Sequence, residues 1–500
     1  MFRTFAFALI LFVASACRAT QPGDCNLNDG QCNPLWAALL YTVDICLTPD
    51  FQNFLGGPGG ISNQVADITV TSDGGYILAG FAAEDLNRDS LNSRPGGTDD
   101  LFLWKVQADG QTEWFQYVGG TGQERAALHP PRVIEVPDGT GYILTGHSEV
   151  SWGNPINSHG GGGSWLIARY DTNGNLVWHT FYDSGNGNER SGVGGLAGAP
   201  GGFYVLGVAR GNLVGQTGAQ IYPFVGTDRD SVIAYFDYDG TMQWHGFIGG
   251  TNNEEARGLA RGQDGALYAL VAAEGALDAA NFPNERNAYT GMDDPLVVKL
   301  DSNGSYQWHR FDGNPLDDDT VRDILIDSQN RIYVAGDSSY EFGSNILNPH
   351  TGPGGFGDGY IYQLTAEGAQ EWITFQGSVT ATDQFYNMIL DGSDNLIVTG
   401  SAGAEYGEPL QAYDTSLTAQ TALLKLNASG TRLWNTFLIT EALSIGVRLA
   451  DSFACDESFL LSGVAGGAVG TPLEAYGGGA FDTYLATMTT DGGFSVDEEE

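Results

Sequence analysis

Acidic side chains recur at two fixed places along this chain, and they are the residues best spaced to do chemistry. Glu124, Glu189, Glu254, Asp318 and Asp383 each open a stretch that alternates like a β-strand. If those strands stand around a common axis, their carboxylates ring its mouth and could hold a cation such as calcium. Arg125, Arg190, Arg257 and Arg322 sit close by in sequence, so local ion pairing is the competing reading. The second set is Asp100, Asp230, Asp294, Asp358 and Asp482, with Ser164 and Gln420 at the same place in two further copies. A polar side chain that recurs with a fold is expected to satisfy buried backbone groups, here between neighbouring repeats.

Other candidate chemistry is thinner. The turns Asp171–Gly174, Asp237–Gly240 and Asp301–Gly304 are built like the start of a calcium loop, which also needs a distal carboxylate. Trp178, Trp244 and Trp308 arrive first, so hairpin chemistry accounts for these turns. There is no H-E-x-x-H, no G-x-S-x-G and no vicinal cysteine pair. His179, His245 and His309 each follow a recurring tryptophan and are repeat positions rather than members of a triad. A pair of loop carboxylates could still form a glycosidase site, and sequence spacing does not exclude it.

The elements that must position these residues are set by a repeat. Trp114, Trp178, Trp244, Trp308, Trp372 and Trp434 are spaced 64, 66, 64, 64 and 62 residues apart. Each lies four residues after a turn glycine: Gly110, Gly174, Gly240, Gly304, Gly368 and Gly430. Self-similarity at a fixed period marks a repeat architecture. The copy around Trp372 shows the unit: strands at Val321–Asp327, Arg331–Gly336, Tyr360–Thr365 and Glu371–Phe375, with a long glycine-rich loop between the second and third. Four short antiparallel strands joined by hairpins predict one blade of a β-propeller. Seven copies can be aligned, so the expectation is an all-β, seven-bladed β-propeller over residues 49–497. In the last copy Val496 stands where tryptophan is expected, while Phe51 lies 63 residues before Trp114. An N-terminal strand beginning near Phe51 would then close the ring, with Val496 in a C-terminal strand as the rival.

The composite pattern G-G-x-D-x-F-x-x-K-x-x-x-x-G-x-x-x-W-x-x-x-x-G-G resembles the SBBP-type bacterial β-propeller repeat. Thr98–Gly120 carries it most fully and Met292–Phe311 comes next. The resemblance covers roughly residues 50–497, and Gln420 and Val496 depart from it in the last two copies. It implies a propeller scaffold on an exported bacterial protein, often a surface lipoprotein, and implies no activity. The D-x-x-G-x-x-x-W turn also resembles the tryptophan-docking motif of quinoprotein propellers but lacks its threonine before glycine, and its spacing differs from the sialidase Asp-box.

Lys+Arg is 21 against Asp+Glu of 61, a formal charge of −40. Such a field repels phosphate backbones, so nucleic acid is not an expected partner. An acidic surface also suits a salty habitat, without any ligand. Residues 1–16 read as a signal peptide, with Arg3 followed by the apolar run Phe5–Val13. Ala14-Ser15-Ala16-Cys17 resembles a lipobox with alanine in place of its usual leucine. In that reading Cys17 carries a lipid and residues 17–48 tether the body to the bacterial outer membrane or cell surface. In the other reading the protein is secreted or periplasmic. Cys25, Cys32, Cys46 and Cys455 remain for disulfides in an oxidising compartment, with three pairings open. Ring closure would bring Cys46 and Cys455 to the same face of one blade, which favours Cys46–Cys455 with Cys25–Cys32.

The expected role is a non-catalytic binding scaffold, acting as a monomer and presenting a protein or glycan ligand site on its loop face, with no cofactor. The loops between second and third strands run to roughly 15–24 residues and carry Trp152, Tyr222, Phe282, Phe342 and Tyr406. The alternatives are an extracellular carbohydrate-active or quinone-dependent enzyme on the same scaffold, and a calcium-stabilised structural envelope protein. Convergent carboxylates or an arginine cluster at the axial mouth would favour the enzyme.

Overall fold

A computed structural model of the chain describes residues 52–55, 63–86, 89–124, 129–185, 192–215, 217–226, 228–352, 355–438, 448–451, 458–465 and 482–491. The chain divides into two compact units, Met1–Leu47 and Thr48–Glu500, and every described residue belongs to the second. The expected signal peptide and tether, Cys17, Cys25, Cys32, Cys46, Cys455, Glu189, Phe51 and Val496 lie outside the described residues.

The body is an all-β propeller of four-stranded antiparallel blades. Six blades are each drawn from one continuous stretch of chain: 63–118, 132–182, 193–248, 254–311, 320–376 and 384–438. A further sheet is composite. Its order is Gln52–Leu55, Asp482–Thr489, Ser458–Ala465, Arg448–Asp451, so the start of the described chain pairs with its end, Asn53 opposite Leu485. The expectation of seven equivalent copies is corrected in this respect: six blades are self-contained, and the last sheet is shared by both ends. The physical reason is an edge. Residues 448–489 supply three of its strands, and Gln52–Leu55 covers the backbone donors and acceptors that Asp482–Thr489 would otherwise present.

Each third strand is buried on both faces, which is why it reads as a near-continuous apolar run rather than an alternating one. In Asp100–Val106, Phe102, Trp104 and Val106 pack with Leu460 and Leu485 of the composite sheet. Leu101 and Leu103 point the other way, to Leu144 and Leu166 of blade two. On its other side the composite sheet packs Phe459, Leu461 and Met488 against Ile397 and Leu423 of blade six.

The periodic tryptophan staples one blade to the next. The indole Nε1 of Trp114 donates to the Thr172 carbonyl at 2.9 Å, in the turn of blade two. Trp178, Trp308, Trp372 and Trp434 repeat the bond to Tyr238, Ala366, Ala428 and Thr490. The ring face lies on the turn glycine: a Cβ on Gly174 would meet Trp114 Cδ2 at 3.1 Å, and its φ of +81° is one that L side chains rarely adopt. Trp244 is the exception, because Tyr204 Oη takes the corresponding Ser302 carbonyl at 2.8 Å.

The first strands of successive blades neighbour one another around an axis, and Arg448–Asp451 neighbours both Gln384–Leu390 and Asn63–Val70. Five first strands carry a bulge at the same point, which skips Ala66, Gly194, Arg257, Arg322 and Tyr386 from the pairing. A bulge re-aims the side chain of the extra residue. Among the described residues, no helix is long and apolar enough to cross a membrane.

Candidate functional site

First strands begin, and the long loops between second and third strands lie, at the same end of each antiparallel blade, as the sequence reading requires. At this end two groups of charged residues appear, one buried within the blade joints and one at the axial mouth.

The buried group joins the two acidic sets of the sequence. Asp100, Asp230, Asp294 and Asp358 start their third strands with side chains 0% exposed. They hold amides of the long loop of their own blade: Asp294 accepts from Thr290 N at 2.7 Å, Asp358 from Thr351 N at 2.7 Å and Asp230 from Val225 N at 3.0 Å. Their backbone role is therefore the expected one, but within a blade rather than between blades. Gln420 does the same for Asp414 N. The acids that open the following first strands are Glu124, Glu254, Asp319 and Asp383, all at most 1% exposed. Each accepts the amide of the approaching turn, from Gly120, Gly250, Asn314 and Ser378 respectively.

Two expectations are corrected here. Asp318 is exposed and accepts from Asp293 N at 3.2 Å, and the residue of its repeat that is buried and amide-bound is Asp319. The acids also do not stand at an open mouth. They face the third-strand aspartates across a small gap, because a glycine in the turn leaves room for both carboxyl groups. A Cβ on Gly313 would lie 2.5 Å from Asp294 Oδ1 and 2.8 Å from Asp319 Oδ2, and one on Gly377 would crowd Asp358 and Asp383 in the same way. Glu189 belongs to the same series and lies outside the described residues. Among the described residues, no three His, Cys, Asp or Glu side chains gather to hold a metal ion.

Burial drives the proton onto these pairs. It raises Asp100 to about 6, with the Arg94 guanidinium 2.7 Å away opposing the rise, and it raises Glu124 to about 8. Asp230 and Glu254 are raised to about 6 and about 8, Asp294 and Asp319 to about 6 and about 7, and Asp383 to about 7, burial being the leading cause throughout. Two carboxyls this close share one proton, as one charged and one neutral group. Glu124 Oε2, Glu254 Oε1 and Asp230 Oδ1 are buried with no other hydrogen-bond partner, which suits oxygens that carry or receive that proton. Blade two reverses the arrangement. Ser164 replaces the aspartate, and Asp183 replaces the turn glycine, accepting Ser164 Oγ at 2.6 Å and Gly160 N at 2.9 Å.

The group at the axial mouth is of mixed charge. Arg229 Nη1 lies 3.0 Å from Glu255 Oε2, and His129 Nε2 lies 2.7 Å from Glu255 Oε1. Arg322 Nε lies 3.3 Å from Asp337 Oδ1, Asp337 Oδ2 accepts from Gln384 Nε2, and the Arg322 guanidinium sits 5.4 Å above the Tyr386 ring. Between them Arg257 makes no ion pair with a side chain among the described residues, although the charge of Glu255 still reaches it. Its Nε is buried without a hydrogen bond, and burial lowers its pKa, with Glu255 opposing and Arg322 reinforcing the effect. Burial also raises Asp293, and Asp318 and Glu274 beside it add to the rise. Sequence reading treated Arg257 and Arg322 only as ion-pair partners of the acid ring. The signal that separates them from it is their spacing, three residues after Glu254 and Asp319, which is where the bulge falls.

The long loops behave differently from the expectation that they form the binding surface. They fold back along the outer strands. Ala219–Tyr222 and Ile346–Asn348 add a fifth, parallel strand to blades three and five. Leu91 N, Ile156 N and Leu410 N donate to outer-strand carbonyls in three other blades. Their aromatics are spent on this packing: Phe282, Phe342 and Tyr406 are buried, and Trp152 stacks on His179 at 3.9 Å between centroids. His179 and His245 are accordingly buried repeat positions with lowered pKa, His245 to about 4 through burial.

Residues 307–343 match the profile of the SBBP β-propeller repeat, on the outer strand of blade four and the first two strands of blade five. This stretch is one SBBP β-propeller repeat within a β-propeller. In the matched stretch Trp308 is the staple to the next blade, and Asp319, eleven residues on, is the buried acid that accepts the Asn314 amide. No curated protein matches the chain. Solved structures that resemble it do so in fold alone. A protein of unknown function from Dyadobacter fermentans is 10% identical with a TM-score of 0.41, over 88% of this chain and 98% of that one. An ulvan lyase of polysaccharide lyase family PL25 is 9% identical with a TM-score of 0.45, over 82% and 93%. The aldose sugar dehydrogenase of Streptomyces coelicolor is 10% identical with a TM-score of 0.36, over 88% and 99%.

Proposed function

We propose that this protein is an exported, lipid-anchored propeller that binds a ligand at its axial mouth without transforming it. The observation that carries the reading is Arg257, a guanidinium at the mouth that makes no ion pair or hydrogen bond with a side chain among the described residues, while Arg229 and Arg322 are paired. A fold that keeps an unpaired cation in place at its own cost has reserved it for something outside the chain. Cys17 is the lipid attachment point in this reading, and the body acts as a monomer at the bacterial surface. The ring counts the composite sheet as its seventh blade. The packing of that sheet against both blade one and blade six supports this, as does the Trp434–Thr490 staple. In this reading Cys46–Cys455 locks the joint and Cys25–Cys32 closes a small loop in the tether, to be read by non-reducing peptide mapping.

A second reading is an enzyme that acts on an extracellular polysaccharide. It is favoured by the convergence of Arg229, Arg257 and Arg322 beside the His129–Glu255 pair. A panel of glycans and surface proteins presented to the purified full chain tests the binding reading. Saturable binding with unchanged ligand supports it, and release of new chain ends from a bound glycan favours the enzyme. Uniform silence across the panel defeats both.

A further inference from the structure

We propose that the axial mouth recognises the carboxylate of an acidic sugar polymer, with Arg257 as the carboxylate contact and the surrounding acids as acceptors for sugar hydroxyls. This rests on the binding reading above and names its substrate class.

Three features of the mouth support the assignment. Arg257 is the residue skipped by the bulge in Glu254–Arg261, so its side chain leaves the pairing plane where the strand begins. It is only partly solvent-exposed, and among the described residues no side chain forms an ion pair or hydrogen bond with it. Arg229 and Arg322 add positive charge on either side, each already balanced by Glu255 or Asp337. The free valence of the cluster is therefore one planar fork carrying one charge. A guanidinium of this kind matches a carboxylate with two parallel hydrogen bonds.

The neighbours then restrict the anion. Asp293 bears on the charge of Arg257, and Asp318 and Glu274 on that of Asp293, so a doubly charged phosphate would meet more repulsion here than a single carboxylate. The formal charge of −40 opposes every anion at long range, the acidic polymer included, so recognition depends on the short-range fork at Arg257 and on salt to screen the rest. A single carboxylate surrounded by hydroxyls meets both demands, because carboxylates are acceptors for hydroxyl donors. A uronic acid unit has this composition.

The test is titration calorimetry of the full chain with oligogalacturonate and oligomannuronate, and with fully methyl-esterified oligogalacturonate, which keeps the hydroxyls and masks the charge. One acid form should bind, and the ester should bind at least about 10-fold more weakly. Arg257→Met should weaken binding of the acid form by about 30-fold or more, and Arg257→Lys, which keeps charge but loses the fork, should fall between. The melting temperature of Arg257→Met should equal or exceed that of the parent, because a partly buried, unpaired cation is removed. A fall in melting temperature would give Arg257 a structural role and overturn the proposal. Equal affinity for acid and ester, or unchanged affinity in Arg257→Met, would overturn it as well. If neither acid oligomer binds while a neutral glycan or a protein does, the binding reading survives and this assignment fails. If nothing binds, both fail.

Discussion

Replacing Glu124 with glutamine isolates one of the proton-sharing pairs and gives a signed prediction. Glu124 is raised from 4.5 to about 8 in the folded protein, burial being the main cause. Between those values the folded chain holds a proton that the unfolded chain has released. Stability therefore falls as pH rises, being full below the unfolded value and lost by the folded one. The slope is one proton, about 1.4 kcal/mol per pH unit, and the whole span is about 5 kcal/mol. Asp100 takes the charged role in the pair, because Arg94 lies 2.7 Å from it. Glutamine copies the shape of the protonated acid, keeps the Gly120 N bond through its carbonyl and offers an amide hydrogen to Asp100. Glu124→Gln should thus be close to the parent near pH 5 and gain on it by about 4 kcal/mol near pH 8. Guanidinium unfolding of parent and variant from about pH 5 to about pH 8 reads the difference in slope. Parallel pH profiles would show that Glu124 holds no extra proton and would refute the shared-proton account of all four pairs.

Further outcomes follow from the same geometry. Trp308→Phe should cost about 1 kcal/mol more than Trp244→Phe in thermal or chemical unfolding, because only Trp308 staples the next blade through its indole N–H. Asp183→Gly should destabilise by about 1–3 kcal/mol by freeing Ser164 and Gly160 N, and adding Ser164→Asp should restore most of it by recreating the arrangement of the other blades. A double-mutant cycle with no coupling would rule that exchange out. Melting curves with EDTA and with added calcium should superimpose, since Glu124, Glu254 and Asp383 are engaged by backbone amides and shielded from solvent. A calcium-dependent rise would restore the calcium-stabilised reading.

Sequence alone determined the all-β repeat, because the physics of a blade is local. A D/N-G turn and a tryptophan four residues later are adjacent in the chain, and alternation within seven-residue strands follows from the pleat. It also pointed to the N-terminal segment near Phe51 as part of the last sheet, and Gln52–Leu55 pairs there. Tertiary structure alone decided what the repeated residues meet. Trp114 finds its partner carbonyl 58 residues on, and Asp294 finds Asp319 across a glycine, so neither contact leaves a mark at short range. Asp318 and Asp319 are equally acidic and differ only in which one the strand turns inward. The loops read as binding surface because they are long and aromatic, yet an open outer edge recruits them as covering strands. Arg257 and Arg322 read alike in the sequence and sit at the same bulge, yet among the described residues only Arg322 forms an ion pair. Charge and spacing are written in the chain, but partnership is decided by packing.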